Sequence, residues 1–186
     1  MKIHILLALQ LISAQAFACN TSLCSGDRVV FENEKGDTGV VLEVFNNGKA
    51  TVDWDDFLKN STVPTNTLSK SVICNEYACR DNRVVFSNSK GDTGKVLEVF
   101  ENGQVKVDWD DFINHSVVKG SDVGVGFRCN GDLCVHDRVV YNNAANDTGT
   151  VIEVFANGKV KVDWDSYSNN SVVKMSDLGY AIGDCR

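Results

Sequence analysis

Apolar and polar residues alternate along short stretches of the chain with a period of two. Ala50, Val52 and Trp54 fall on one face of such a stretch, and Thr51, Asp53 and Asp55 fall on the other. Successive side chains of a strand point to opposite faces, so this stretch predicts a strand with one buried side. Val40 to Phe45 makes a second run ahead of it, and Arg28 to Phe31 a third. Gly36-Asp37-Thr38-Gly39 and Asn47-Gly48 separate these runs. Asn-Gly between two strands predicts a type I′ hairpin turn, whose two central residues both need positive φ. Thr62-Val63 predicts a short fourth strand and Val72-Ile73 a last one. Past the amino-terminal leader, no stretch carries the 3.6-residue period of a helix.

The whole pattern then recurs. Trp54, Trp109 and Trp164 stand 55 residues apart, and the copies that begin at Arg28, Arg83 and Arg138 run to Phe57, Phe112 and Tyr167. Three copies of one pattern imply three similar units, each with its own small core. The expected bounds are 19–73, 74–128 and 129–186, after a leader at 1–18. Without Pro-rich or Ser-rich linkers, the units are expected to follow one another closely. Five short strands in about 50 residues hide their edges only by curling into a small barrel or two packed sheets.

Gly39-x-Val41-x-x-Val44, Asn47-Gly48, Val52-x-Trp54, Val63 and Leu68 together resemble the small SH3-like barrels of the KOW and Tudor type. The resemblance implies an all-β chain of three tandem barrels and a habit of binding extended peptides or chains. It also has a point of departure. KOW units usually carry basic loops for nucleic acid, whereas the equivalent loop here is Asp55-Asp56.

Cysteines mark the start of every unit. Cys19, Cys74 and Cys129 open them, Cys24, Cys79 and Cys134 follow five positions later, and Cys185 comes near the end. Units this small bury little apolar surface, and an oxidising compartment permits disulfides to staple them. Two connectivities are open. Either Cys24 pairs with Cys74, Cys79 with Cys129 and Cys134 with Cys185, closing each barrel end to end, or the cysteines pair within each five-residue spacing. The first is preferred, because closing a long loop removes more unfolded-state entropy, about 4 kcal/mol for roughly 50 residues. It leaves Cys19 unpaired, at the position where a bacterial lipoprotein carries its lipid. Ala16-Phe17-Ala18-Cys19 resembles a lipobox in its small residue before cysteine, although Phe17 and Ala16 depart from the usual small residue and leucine.

Lys2, the apolar run from Ile5 to Ile12 and Ala16-Phe17-Ala18 read as a signal peptide cut after Ala18. The mature chain is therefore expected to be secreted or periplasmic, with lipid anchoring through Cys19 an option. No other run is long enough for a transmembrane helix. The net charge is -7, and losing Lys2 with the leader makes it one more negative. An acidic surface repels phosphate backbones, so a nucleic-acid partner is not expected and a cationic one suits better.

Candidate chemistry is sparse. Only His115 and His136 survive maturation, and neither recurs in the other copies. No nucleophile motif, zincin motif or phosphate loop is present, so neither catalysis nor a cofactor is expected. No metal site is expected either, because Asp53-x-Asp55-Asp56 lacks the ladder of known calcium loops. The parity of Trp54, Trp109 and Trp164 with the valines places them toward the core. The loop after the third strand is the candidate ligand site: Trp54, Asp55, Asp56 and Phe57, then Trp109, Asp110, Asp111 and Phe112, then Trp164, Asp165 and Tyr167. Glu43, Glu98 and Glu153 recur in the second strand, where a bulge or a bond to Arg28, Arg83 and Arg138 of the same unit would account for them. Two function classes follow. One is a non-enzymatic binding or adhesion module for a peptide, protein or cell-wall polymer, and the other is an envelope spacer without a specific ligand.

Overall fold

A computed structural model describes residues 19–180 except 20–21, 34, 57–58, 112–114 and 167–169. The leader at 1–18, Phe57, Phe112, Tyr167 and Cys185 lie outside the described residues.

The first unit contains β1 (Arg28–Phe31), β2 (Thr38–Val44), β3 (Lys49–Trp54), β4 (Ser61–Pro64) and β5 (Leu68–Val72), with a 3-10 turn at Thr65–Thr67. The second repeats this as β6 (Arg83–Phe86), β7 (Thr93–Phe100), β8 (Gln104–Trp109), β9 (Ser116–Lys119) and β10 (Val123–Phe127). The third begins with a hairpin of β11 (Cys129–Asn130) and β12 (Leu133–Cys134). It continues with β13 (Arg138–Tyr141), β14 (Thr148–Phe155), β15 (Lys159–Trp164), β16 (Ser171–Lys174) and β17 (Leu178–Tyr180). All pairings are antiparallel, and in the first unit they run β5-β1-β2-β3-β4.

The alternating pattern is what folds these strands. Ala50, Val52 and Trp54 are buried and Asp53 is exposed, as the period of two requires. With Leu23, Val29, Val41 and Leu68 they form the first core, and equivalent sets form the other two. A bulge between Val41 and Glu43 on β2 adds a residue against β3 and bends the strand, and β7 and β14 bulge at the same place. Each tryptophan meets the aromatic that ends the first strand edge to face: Phe31 with Trp54 at 5.6 Å, Phe86 with Trp109 and Tyr141 with Trp164 both at 5.7 Å.

The hairpin turn is not the expected type. Gly48, Gly103 and Gly158 take positive φ, but Asn47, Asn102 and Asn157 do not. The Phe45 amide donates to Lys49 O and the Gly48 amide to Phe45 O. This is a three-residue loop with only its last residue left-handed, the arrangement of a type I turn followed by a glycine bulge.

Among the described residues, no sheet closes on itself. After pairing with β1 through Lys70, β5 runs on to pair Ser71 and Val72 with Phe100 and Val99 of β7. Gly126 and Phe127 of β10 pair with Phe155 and Val154 of β14 in the same way. A single sheet path thus passes through all three units. Phe100 and Phe155, where the preceding unit attaches, are fully buried, whereas Phe45 is only half-buried.

This handover corrects the expected disulfides. The bonds are Cys19–Cys24, Cys74–Cys79 and Cys129–Cys134, with Cα atoms 4.0 Å apart in each. Cys74 follows a strand end already committed to the second unit, so it cannot return to Cys24. The paired cysteines instead face each other across a narrow antiparallel bridge. Each short loop turns one apolar residue into its unit's core, with Leu23 at 2%, Ala78 at 4% and Leu133 at 1% exposure. Cys19 is therefore not the unpaired thiol that a lipid anchor requires.

Candidate functional site

The loop after the third strand divides into residues that face inward and residues that face a neighbouring unit. Trp54, Trp109 and Trp164 keep only 7, 8 and 7% of their surface exposed. Each indole Nε1 donates to the hydroxyl of Ser61, Ser116 or Ser171 on the following strand. A tryptophan so enclosed, with its one donor satisfied, is a core residue and offers no ring face to a ligand.

Asp55 lies one step further along the strand and points to the other side. It accepts two bonds from the Arg28 guanidinium, at 2.7 and 2.8 Å, and a third from Thr38 Oγ1 at 2.6 Å. Asp110 repeats this with Arg83 and Thr93, and Asp165 with Arg138 and Thr148. Fork-to-fork geometry of this kind is the strongest arrangement available to an arginine and a carboxylate. The Arg28 guanidinium holds the Asp55 carboxyl well below the usual carboxylate range. Arg83 holds Asp110 down to about 2. Carboxylates so held are poor proton acceptors and act as fixed counter-ions.

The arginines also reach out of their own unit. Arg28 bonds Glu98 of the second unit at 2.5 and 3.1 Å, and Arg83 bonds Glu153 of the third at 2.8 and 3.2 Å. The recurring glutamates thus sit at bulges as expected, but the arginine partners of Glu98 and Glu153 belong to the preceding unit. Lys106, 7% exposed, completes the first junction, with Nζ 2.8 Å from Thr38 Oγ1 and 3.1 Å from Asp55. Lys161 completes the second, 3.0 Å from Thr93 Oγ1 and 3.5 Å from Asp110. Two cations and two carboxylates balance at each junction. No buried side-chain polar atom among the described residues lacks a partner.

Backbone contacts lock the same junctions. The Glu101 amide donates to Lys70 O and the Ala156 amide to Val125 O. Lys159 Nζ caps the carbonyls of Phe86 and Asn88 across the second junction. Asp56 and Asp111 are exposed at the turn. No protein-family model matches the chain. No curated protein matches it either.

Two shallow clefts flank the junctions. One, of about 410 Å3, runs from Glu32 and Asn33 to Tyr77 and Gly103; the other, of about 460 Å3, runs from Tyr77 past Phe127 to Asn157. Tyr77 and Phe127 are 39 and 54% exposed beside them. Neither aromatic belongs to the loop singled out from the sequence. Each occurs in one copy only, with Ser22 and Asp132 where the second unit has Tyr77, so the repeat pattern carries no signal for them. Among the described residues, no group of three or more His, Cys, Asp or Glu could hold a metal ion.

Proposed function

We propose that the mature chain is an exported, non-enzymatic structural array, three small open barrels of the SH3-like kind acting as one stiff element of the envelope or extracellular space. One observation carries this reading. The carboxylates of the loop best placed to meet a ligand, Asp55 and Asp110, are engaged in joining one unit to the next. The strand order β5-β1-β2-β3-β4, the bulged second strand and the 3-10 turn before β5 support the SH3-like description. Three disulfides and the signal-peptide pattern of residues 1–18 support export, since disulfides persist in oxidising compartments. No described helix is long and apolar enough to cross a membrane.

A stiff array has one maximum dimension whatever the ionic strength, because the ion pairs at its joints are partly buried and little screened by salt. Small-angle scattering of the mature chain is expected to give the same distance distribution at low and high salt. The Arg28→Ala/Arg83→Ala variant is expected to broaden it. A wild-type profile of flexibly linked beads would sink the proposal.

A second reading is recognition of an extended peptide or wall polymer along the middle unit, favoured by the exposed Tyr77 and Phe127 beside their clefts. Retention of the mature chain on purified peptidoglycan or on an immobilised oligolysine peptide tests it. On this reading Tyr77→Ser/Phe127→Ser retains at least about tenfold less than wild type, the scale of one lost aromatic contact. Equal retention of both proteins removes it.

A further inference from the structure

Each junction joins a trailing surface to a leading one. The trailing surface of the first unit presents Arg28, Gly36, Thr38 and Asp55, and the leading surface of the second meets it with Glu98, Lys106 and Val117. Arg83, Gly91, Thr93 and Asp110 meet Glu153, Lys161 and Val172 in the same way. Two copies of the chain placed end to end would set the trailing surface of the third unit against the leading surface of the first. Such a head-to-tail contact is heterologous, and repeating it gives an open filament or, where its rotation closes, a ring.

Much of the contact is still present at these outer surfaces. Arg138, Thr148 and Asp165 keep their arrangement on one, and Glu43 stands exposed on the other. Of the seven positions named above for the first junction, three differ at the outer surfaces from both interior junctions. Asn146 stands where Gly36 and Gly91 do, Thr62 where Val117 and Val172 do, and Thr51 where Lys106 and Lys161 do.

Their physical effects converge. A Cβ on Gly36 would lie 2.6 Å from Val117 Cβ, and one on Gly91 would lie 2.6 Å from Val172 Cγ1 and 2.8 Å from its Cβ. These atoms sit at the root of a β-branched side chain on a strand and cannot swing away. Asn146 adopts the same left-handed backbone, with φ +52°, and does bring a Cβ into that space. Thr62 opposite it is equally branched and replaces an apolar contact with a hydroxyl. Without a lysine at position 51, Asp165 and Glu43 would share Arg138 alone. One carboxylate would then be desolvated without a cation, which is unfavourable.

We propose that Asn146, Thr62 and Thr51 are end caps that keep copies of this chain from joining head to tail. Terminal units of repeat arrays are commonly modified in this sense, because an unmodified end offers the next copy the same surface that the interior units use. The proposal goes beyond the structural reading and does not depend on it.

Sedimentation velocity over a concentration series compares the mature chain with Thr51→Lys/Thr62→Val/Asn146→Gly. The wild type is expected to stay monomeric, and the folded triple variant to gain mass with concentration in multiples of the chain. A triple variant that remains monomeric at every concentration overturns the proposal, as does a wild type whose own association Arg138→Glu abolishes. Gly91→Asn tests it independently should the triple variant not fold. It moves the cap into the second junction on a backbone that Asn146 shows asparagine to accept. Amide exchange at Ala156, which donates to Val125 O across the junction, is expected to quicken by at least about tenfold while Val85 and Val107 stay protected. Unchanged exchange at the junction would equally overturn the cap.

Discussion

Replacing Trp109 with alanine lowers the stability of the protein by about 3–5 kcal/mol, the cost of removing a large buried aromatic from a core that cannot collapse around the space. Trp109 is 8% exposed, stacks edge to face with Phe86 and donates to Ser116. The surroundings are too constrained to refill the gap. A Cβ on Gly94 would lie 2.5 Å from Asp108 O and 3.0 Å from the indole Cε3, so backbone already presses on one side of the ring. Trp109→Phe keeps part of the ring contact, leaves a smaller cavity and loses the bond to Ser116, at about 1–3 kcal/mol. Urea midpoints for the two variants check both values, and an alanine variant within about 1 kcal/mol of wild type would show that the tryptophan is not a core residue.

Acid opens the second junction before it melts the cores. Asp110 has its folded-state value lowered from 3.8 to about 2 by the Arg83 bond, and Asp55 is held lower still by Arg28. A depressed carboxylate contributes stability that is fully present above its unfolded value and is lost as pH falls through the folded one. The contribution of Asp110 therefore holds at neutral pH, declines below 3.8 and is largely gone below about 2. The cores, whose tryptophans bond to serine hydroxyls, contain no such titrating pair. Scattering of the wild type is expected to broaden across that window while near-ultraviolet tryptophan dichroism persists. Asp110→Asn should show the loosened second junction already at neutral pH, with a weaker acid transition. Identical titrations of the two proteins would mean that the ion cluster does not hold the joint.

Strands and cores were legible in the sequence because a period of two and a buried face are strong signals over six residues, as Ala50, Val52 and Trp54 illustrate. The connections between units were not. The preference for Cys24–Cys74 rested on the entropy of the unfolded chain, which is indifferent to where β5 goes once folded. In the fold, Ser71 and Val72 belong to the second unit's sheet, and the cysteine after them goes with it. Glu98 likewise recurs at a fixed distance from Arg83, which made a partner within the unit the natural reading, yet it bonds Arg28. One signal for the junction was available in the places where the copies disagree. Lysine at 106 and 161 but threonine at 51, and glycine at 36 and 91 but asparagine at 146, separate inner surfaces from outer ones. The turn at Asn47-Gly48 shows a finer limit, since composition marked the hairpin while loop length chose its type.

The shared strands also bear on the order in which the molecule is built. A chain emerging amino terminus first, from a ribosome or across a membrane, can complete β1 to β5 before the second unit appears. Ser71 and Val72 then wait as an unsatisfied ladder end, the template on which Val99 and Phe100 of β7 pair. Gly126 and Phe127 later do the same for β14. Nascent units that could otherwise swap strands among identical neighbours are each offered one edge, in sequence, by the unit just finished.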